Sequence, residues 1–159
     1  MYLKNILDED FVNYKKPSMY LAFPYCTFKC EKDCGIKCCQ NSELALAQNF
    51  EVSIETIIKR YLSNPISKAV VCCGLEPLDS YDDVISLLTK LRFEYNCDDD
   101  FVIYTGYKKE EILDKVEQLS AFKNVIIKFG RFIPNAEPRF DDILKVKLAS
   151  SNQYAEKIS

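Results

Sequence analysis

The chain contains no histidine. That absence excludes a Ser-His-Asp triad, a Cys-His pair, a His-ligated zinc and a histidine general base. Whatever chemistry the protein performs must come from thiolates, carboxylates, lysine, tyrosine or a cofactor. Glycine is scarce, with four residues at Gly35, Gly74, Gly106 and Gly130, so the places where the backbone is freed or closely approached are few. No apolar run approaches the roughly 18 residues that a membrane helix needs. No Lys/Arg stripe stands out in a chain of net charge −3, so neither a membrane nor a nucleic acid is expected as a partner. The opening residues, Met1 to Asp10, lack an apolar stretch and carry acids early. They predict no secretory signal and a cytoplasmic location, where thiols are kept reduced. There are no repeats, low-complexity tracts or linkers. The 159 residues suffice for one core, and the expectation is a single domain over residues 1–159 with an irregular lead-in at 1–17.

What the chain has in excess is cysteine. Of its eight, Cys26, Cys30, Cys34, Cys38 and Cys39 lie close together, and Cys72, Cys73 and Cys97 follow. In a secreted protein an even count suggests disulfides, whereas dense cysteine in a reducing compartment points to metal. Soft thiolates bind zinc or iron–sulfur clusters. Cys26-x₃-Cys30 and Cys34-x₃-Cys38 could together close a four-thiolate zinc site. A cluster held by three cysteines instead leaves one iron open to a substrate or cofactor. Cys72 and Cys73 read as small buried hydrophobes, and Cys97, beside Asp98-Asp99-Asp100, as an exposed turn thiol.

Hydrophobic periodicity places strands at Ser18–Phe23, Ala69–Cys73, Phe101–Tyr104 and Val125–Lys128, with a last one at Leu144–Leu148. Ala69-Val70-Val71-Cys72-Cys73 is a continuous apolar run, as expected of a strand buried on both faces. Between these strands, Ser53 caps a helix to about Leu62, Ser80 and Asp83 form a capping-box pattern ahead of Val84, Leu87, Leu88 and Leu91, and a third helix runs from Lys108 to about Leu119. Strand and helix alternate, so the expected fold class is α/β, a mostly parallel sheet with covering helices. In such folds functional residues gather on loops at the C-terminal ends of strands. Three of those loops are chemically unusual: the cysteine loop, Cys73-Gly74-Leu75-Glu76-Pro77, and Tyr104-Thr105-Gly106-Tyr107.

Cys26-Thr27-Phe28-Lys29-Cys30 begins like the C-x₃-C-x₂-C motif of radical S-adenosylmethionine enzymes, although no third cysteine follows after two residues. Cys38-Cys39-Gln40-Asn41 resembles the Cys-x-Asn that closes this motif in activases of the anaerobic ribonucleotide reductase. On that match the cluster ligands are Cys26, Cys30 and Cys39, with an eight-residue insertion between the second and third. Cys34 and Cys38 are competing third ligands. Cys73–Pro77 resembles the Gly-Gly-Glu-Pro motif, with Cys73 in place of the first glycine. Ile103–Tyr107 is similar to the activases' Thr-Gly-Tyr, and Ala149–Gln153 to their Ser-Ser-Asn-Gln. The likeness runs in order from Tyr20 to Gln153.

The resemblance implies a partial (βα) barrel and a [4Fe–4S] cluster, with S-adenosylmethionine held by Cys73, Gly74, Glu76, Thr105, Gly106 and Asn152. It implies reductive cleavage of S-adenosylmethionine to a 5′-deoxyadenosyl radical, chemistry that the cofactor carries while the protein positions it. No side chain is assigned as catalytic. Family members place an aromatic residue just before the third cysteine, near the adenine. Cys38 stands there, which leaves Phe28, Tyr25 or no residue for that role. The implied partners are a glycyl radical enzyme and a low-potential electron donor. The alternatives are a small radical S-adenosylmethionine enzyme with another substrate, and a non-enzymatic Cys₄ zinc or iron–sulfur electron-transfer module.

Overall fold

A computed structural model describes residues 1–159. The chain runs through β1 (Tyr2–Leu3), β2 (Asn5–Asp10), β3 (Ser18–Phe23), α1 (Lys29–Cys34), α2 (Ser42–Leu46), β4 (Phe50–Glu51), α3 (Ile54–Ser63), β5 (Ala69–Gly74), α4 (Tyr81–Thr89), β6 (Asp100–Tyr104), α5 (Leu113–Ser120), β7 (Val125–Phe129), β8 (Arg139–Asp141), β9 (Val146–Leu148) and β10 (Tyr154–Lys157). A six-stranded sheet has the order β10-β7-β6-β5-β3-β2. Its four central strands are parallel, and antiparallel β2 and β10 close the edges. This is the α/β architecture that the alternating pattern predicts.

Helices α3, α4 and α5 cover one face. Ile57 and Ile58 of α3, Val84, Leu87 and Leu88 of α4, and Leu119 of α5 pack onto Leu21, Phe23, Cys72, Phe101, Ile103 and Ile127. Burying each such side chain is worth about 1.5–3 kcal/mol. The opposite face alternates with the first, as strand geometry requires. It presents Ala69, Val71, Cys73, Val102 and Ile126, covered by Tyr14, Leu144 and Leu148. β5 is buried at every position, which is why its sequence reads as an unbroken apolar run. Parallel pairing sets Ala22 beside Cys73, Cys72 beside Ile103 and Tyr104 beside Lys128. The C-terminal ends of the four central strands therefore come out level, and the loops that follow them meet at one edge.

Four local expectations need correction. Residues 1–17 are not an irregular lead-in, because β1 pairs with β4 and β2 pairs with β3. The strand near Leu148 is the shorter β9, which forms a separate hairpin with β8, and the main sheet ends instead in β10. That last strand hides in a polar sequence because only Ala155 of its residues is buried. Ser80 precedes α4 without capping it through its side chain, whereas Ser53 does cap α3, accepting from Thr56 N–H at 3.1 Å. Cys97 is half-buried rather than exposed, since Arg92 reaches across to its carbonyl at 2.5 Å and to Asp99 O at 2.8 Å.

Candidate functional site

The loop after β5 is shaped by its contact with β3. Gly74 has φ +95°, and a Cβ placed there would lie 2.5 Å from Phe23 N. Only glycine fits, and the neighbour that demands it is protein backbone. Leu75 N–H then donates to Phe23 O at 3.2 Å and Glu76 N–H to Tyr25 O at 2.9 Å, so the start of the cysteine loop is tied to this turn. Glu76 is buried. Its Oε1 accepts from Thr105 Oγ1 at 2.8 Å and Leu78 N–H at 3.1 Å, and its Oε2 from Gly106 N–H at 2.8 Å. Burial raises this carboxyl to about 7 against the pull of those three donors, with the Asp79 charge adding. Glu76 is thus a clasp between the loops that follow β5 and β6.

The cysteine loop is tethered at several points. Phe28 takes a left-handed conformation (φ +51°) to open α1, and Gly35 (φ +71°) ends it. Asp79 accepts from Thr27 N–H at 2.8 Å and from the Tyr107 hydroxyl at 2.5 Å. The Lys29 ammonium sits 4.3 Å from the Tyr107 ring centroid. Arg131, almost fully buried, pairs with Glu111 at 2.7 Å, and its Nε lies 3.0 Å from Asp33 of α1. At the far end, Asn41 Nδ2 donates to Gly74 O at 2.7 Å, and Glu31 Oε1 accepts from Cys39 N–H at 3.2 Å.

These tethers surround a cavity of about 530 Å³ lined by Cys26, Cys30 and Cys39, but not by Cys34 or Cys38. Tyr20, Cys73, Tyr104 and Lys128 contribute to the same lining, one residue from each central strand. Burial pushes the Cys26 thiol up to about 11, opposed by Phe28 N–H and reinforced by the charges of Glu76 and Asp79. Cys30 is raised by burial and then by Cys39. No three Cys, Asp or Glu side chains converge tightly enough to hold a single metal ion. Three soft thiols lining one cavity match instead a larger iron–sulfur group.

The comparison with known families agrees with that donor set. Residues 18–154 match the family model for the 4Fe-4S single cluster domain. The chain belongs to this family. No curated protein and no solved structure matches it. The 4Fe-4S single cluster domain here begins with the first residue of β3 and ends with the first of β10, so it takes in the cysteine loop and all four parallel strands. No helix of the protein is long and apolar enough to cross a membrane.

Of the residues singled out in sequence for S-adenosylmethionine, Cys73, Gly74, Glu76, Thr105 and Gly106 line the cavity beside the three thiols. Asn152 does not. It is exposed, and its amide donates to Arg131 O at 2.8 Å. Its neighbour Gln153 lines the cavity instead, held by Ser150 N–H and Gly130 O. Neither Phe28 nor Tyr25 lines it, and the aromatic residues that do are Tyr20, Tyr104, Tyr107 and Phe132.

Sequence reasoning also missed Arg131 and Lys128. Lys128 is only 6% exposed and donates to Gly130 O at 2.9 Å and Thr105 O at 3.4 Å. Burial lowers its ammonium to about 8, while Glu76 and Cys73 pull it up. One signal was available, because a lysine interrupts the apolar run Val125-Ile126-Ile127-Lys128-Phe129 at a position where a central strand buries both faces.

Proposed function

We propose that this 4Fe-4S single cluster domain is a radical S-adenosylmethionine enzyme of the glycyl-radical-activating type. The observation that carries the reading is the convergence of three loops on one cavity: the cysteine loop, Gly74–Pro77 and Thr105–Gly106. Cys26, Cys30 and Cys39 would hold the cluster. Bound together there, cluster and S-adenosylmethionine would supply reductive C–S cleavage and so the means to take a hydrogen atom from a glycine of a partner such as anaerobic ribonucleotide reductase, with the electron drawn from a low-potential donor.

The protein's own part is positional. Gly74 O already accepts a side-chain amide N–H from Asn41, the kind of contact that a ligand ammonium makes to the same carbonyl. Glu76 fixes the spacing between that carbonyl and Thr105-Gly106. Tyr20 and Tyr104 add aromatic surface to the lining.

A module that only passes electrons has no need of a cavity this size beside its cluster. A four-thiolate zinc site built from the C-x₃-C pairs needs its thiols gathered around one ion, and no three Cys, Asp or Glu side chains are so gathered. The test combines the iron-loaded chain, a reductant, S-adenosylmethionine and purified anaerobic ribonucleotide reductase, and looks for a glycyl-radical doublet by electron paramagnetic resonance. The expected radical depends on all components. Formation of 5′-deoxyadenosine without that radical assigns a different substrate, and absence of both assigns the non-enzymatic module.

A further inference from the structure

The insertion between Cys30 and Cys39 carries two thiols that the cavity does not use. Cys34 is the last residue of α1. Gly35 follows in the left-handed region, its N–H donating to Glu31 O at 2.9 Å, and the chain turns back on itself. That reversal brings Cys38 Sγ to 3.0 Å from Cys34 Sγ. Cys34 is exposed, its sulfur directed toward Ile36 O at 3.4 Å, and Cys38 is half-buried. A disulfide bond is about 2.05 Å long, so the two sulfurs have only about 1 Å to close. The loop between them is short, which keeps its closure entropy small.

We propose that Cys34 and Cys38 form a thiol–disulfide pair that reacts with low-molecular-weight disulfides. The exposed Cys34 thiolate attacks one sulfur of glutathione disulfide and releases one glutathione thiol. The Cys38 thiolate then attacks the Cys34 sulfur of the mixed disulfide and releases the second. Overall, two protein thiols give up two electrons and two protons, and one glutathione disulfide becomes two thiols.

The new bond lies immediately before Cys39 in the chain. Cys39 is already held to α1 through Glu31, and the same helix contains Cys30. Closing Cys34–Cys38 therefore staples the insertion in its present shape. It also withdraws the two thiols that compete with Cys39 as a third ligand. This last consequence rests on the ligand set proposed above, whereas the reactivity itself does not.

The test treats cluster-free and iron-loaded full-length protein with glutathione disulfide under anaerobic conditions, followed by differential alkylation, tryptic digestion and mass spectrometry. Lys37 lies between the two cysteines, so trypsin leaves them on separate peptides that stay joined only through a disulfide. The expected result is a linked pair in both preparations, lost in Cys34→Ser and in Cys38→Ser, with Cys26, Cys30 and Cys39 still alkylated in the cluster-free sample. Iron content of the loaded sample should not change on oxidation. Linkage that survives in Cys38→Ser, or mixed disulfides alone, would overturn the proposal. The Cys34→Ser/Cys38→Ser double variant separates the two readings. Loss of iron in that variant, with the disulfide formed normally in the cluster-free parent, contradicts the ligand assignment and leaves the redox site standing.

Discussion

Glu76 Oε2 accepts the N–H of Gly106 from 2.8 Å while its other oxygen holds the Thr105 hydroxyl. A single buried carboxylate thus locks the loop after β5 to the loop after β6. Its raised pKa gives the clasp a pH signature. The folded-state value, about 7, lies above the ordinary carboxyl value of 4.5, so the stabilisation from keeping Glu76 protonated is fully present below pH 4.5. It is lost as pH rises through about 7. Replacing Glu76 with Gln should remove that slope. At the same time the amide will leave a buried donor facing the Gly106 N–H, at a cost of about 1–3 kcal/mol. Melting temperatures across pH 4.5–8 test this: the wild type should lose up to roughly 3 kcal/mol more than Glu76→Gln over the window. Parallel curves would show that Glu76 does not titrate there.

Ligand identity is tested by single substitutions. Cys26→Ala, Cys30→Ala and Cys39→Ala should each fall well below one cluster per chain after anaerobic reconstitution. Cys34→Ala and Cys38→Ala should load close to the wild-type level. Iron and sulfide analysis with the visible charge-transfer absorption is the measurement. Full loading of Cys39→Ala together with failure of Cys34→Ala would shift the third ligand into the insertion.

Loading itself should depend on pH. Thiols bind iron as thiolates, so each ligating cysteine must release its proton. With Cys26 raised to about 11 and Cys30 also raised, protons compete strongly at neutrality. Iron incorporation at a fixed time should therefore rise from pH 7 to pH 9, and wild-type protein that loads equally at both would contradict the burial of these thiols.

Gly74 offers a sharp structural test. Alanine there must adopt a φ near +95° with its Cβ about to strike the Phe23 backbone. Gly74→Ala should cost roughly 3 kcal/mol or more and should lower the melting temperature and iron content together, because Phe23 leads directly into the cysteine loop. Unchanged stability with weakened ligand binding would mean that the glycine serves a ligand instead.

Much of this was readable in the sequence. Ser18–Phe23 emerges with the expected bounds, and Ala69–Cys73 extends by the single residue Gly74, because buried parallel strands carry long apolar runs. The three loops could be found because glycine is rare enough to mark them. What escaped depends on tertiary pairing. β2 is acidic and pairs along one side only, and β10 alternates weakly, so neither shows a buried-strand pattern. Arg131 is a buried charge held by an ion pair distant in sequence, a contact that no local pattern encodes, and for Lys128 the only local trace is its interruption of the β7 apolar run. Asn152 and Gln153 are adjacent and chemically alike, and only the turn at Ser150, where Gln153 N–H bonds Ser150 O, decides which of them faces the cavity.

A cluster held by Cys26, Cys30 and Cys39 is proposed to act on S-adenosylmethionine in the cavity beside it. The most direct measurement is chromatographic quantification of 5′-deoxyadenosine and methionine after anaerobic reconstitution, chemical reduction and addition of S-adenosylmethionine, for wild type and Cys39→Ala. The expected result is reductant-dependent formation of both products in equal amounts by the wild type and neither by the variant. Wild-type protein carrying a full complement of iron and sulfide that yields no 5′-deoxyadenosine would contradict the claim.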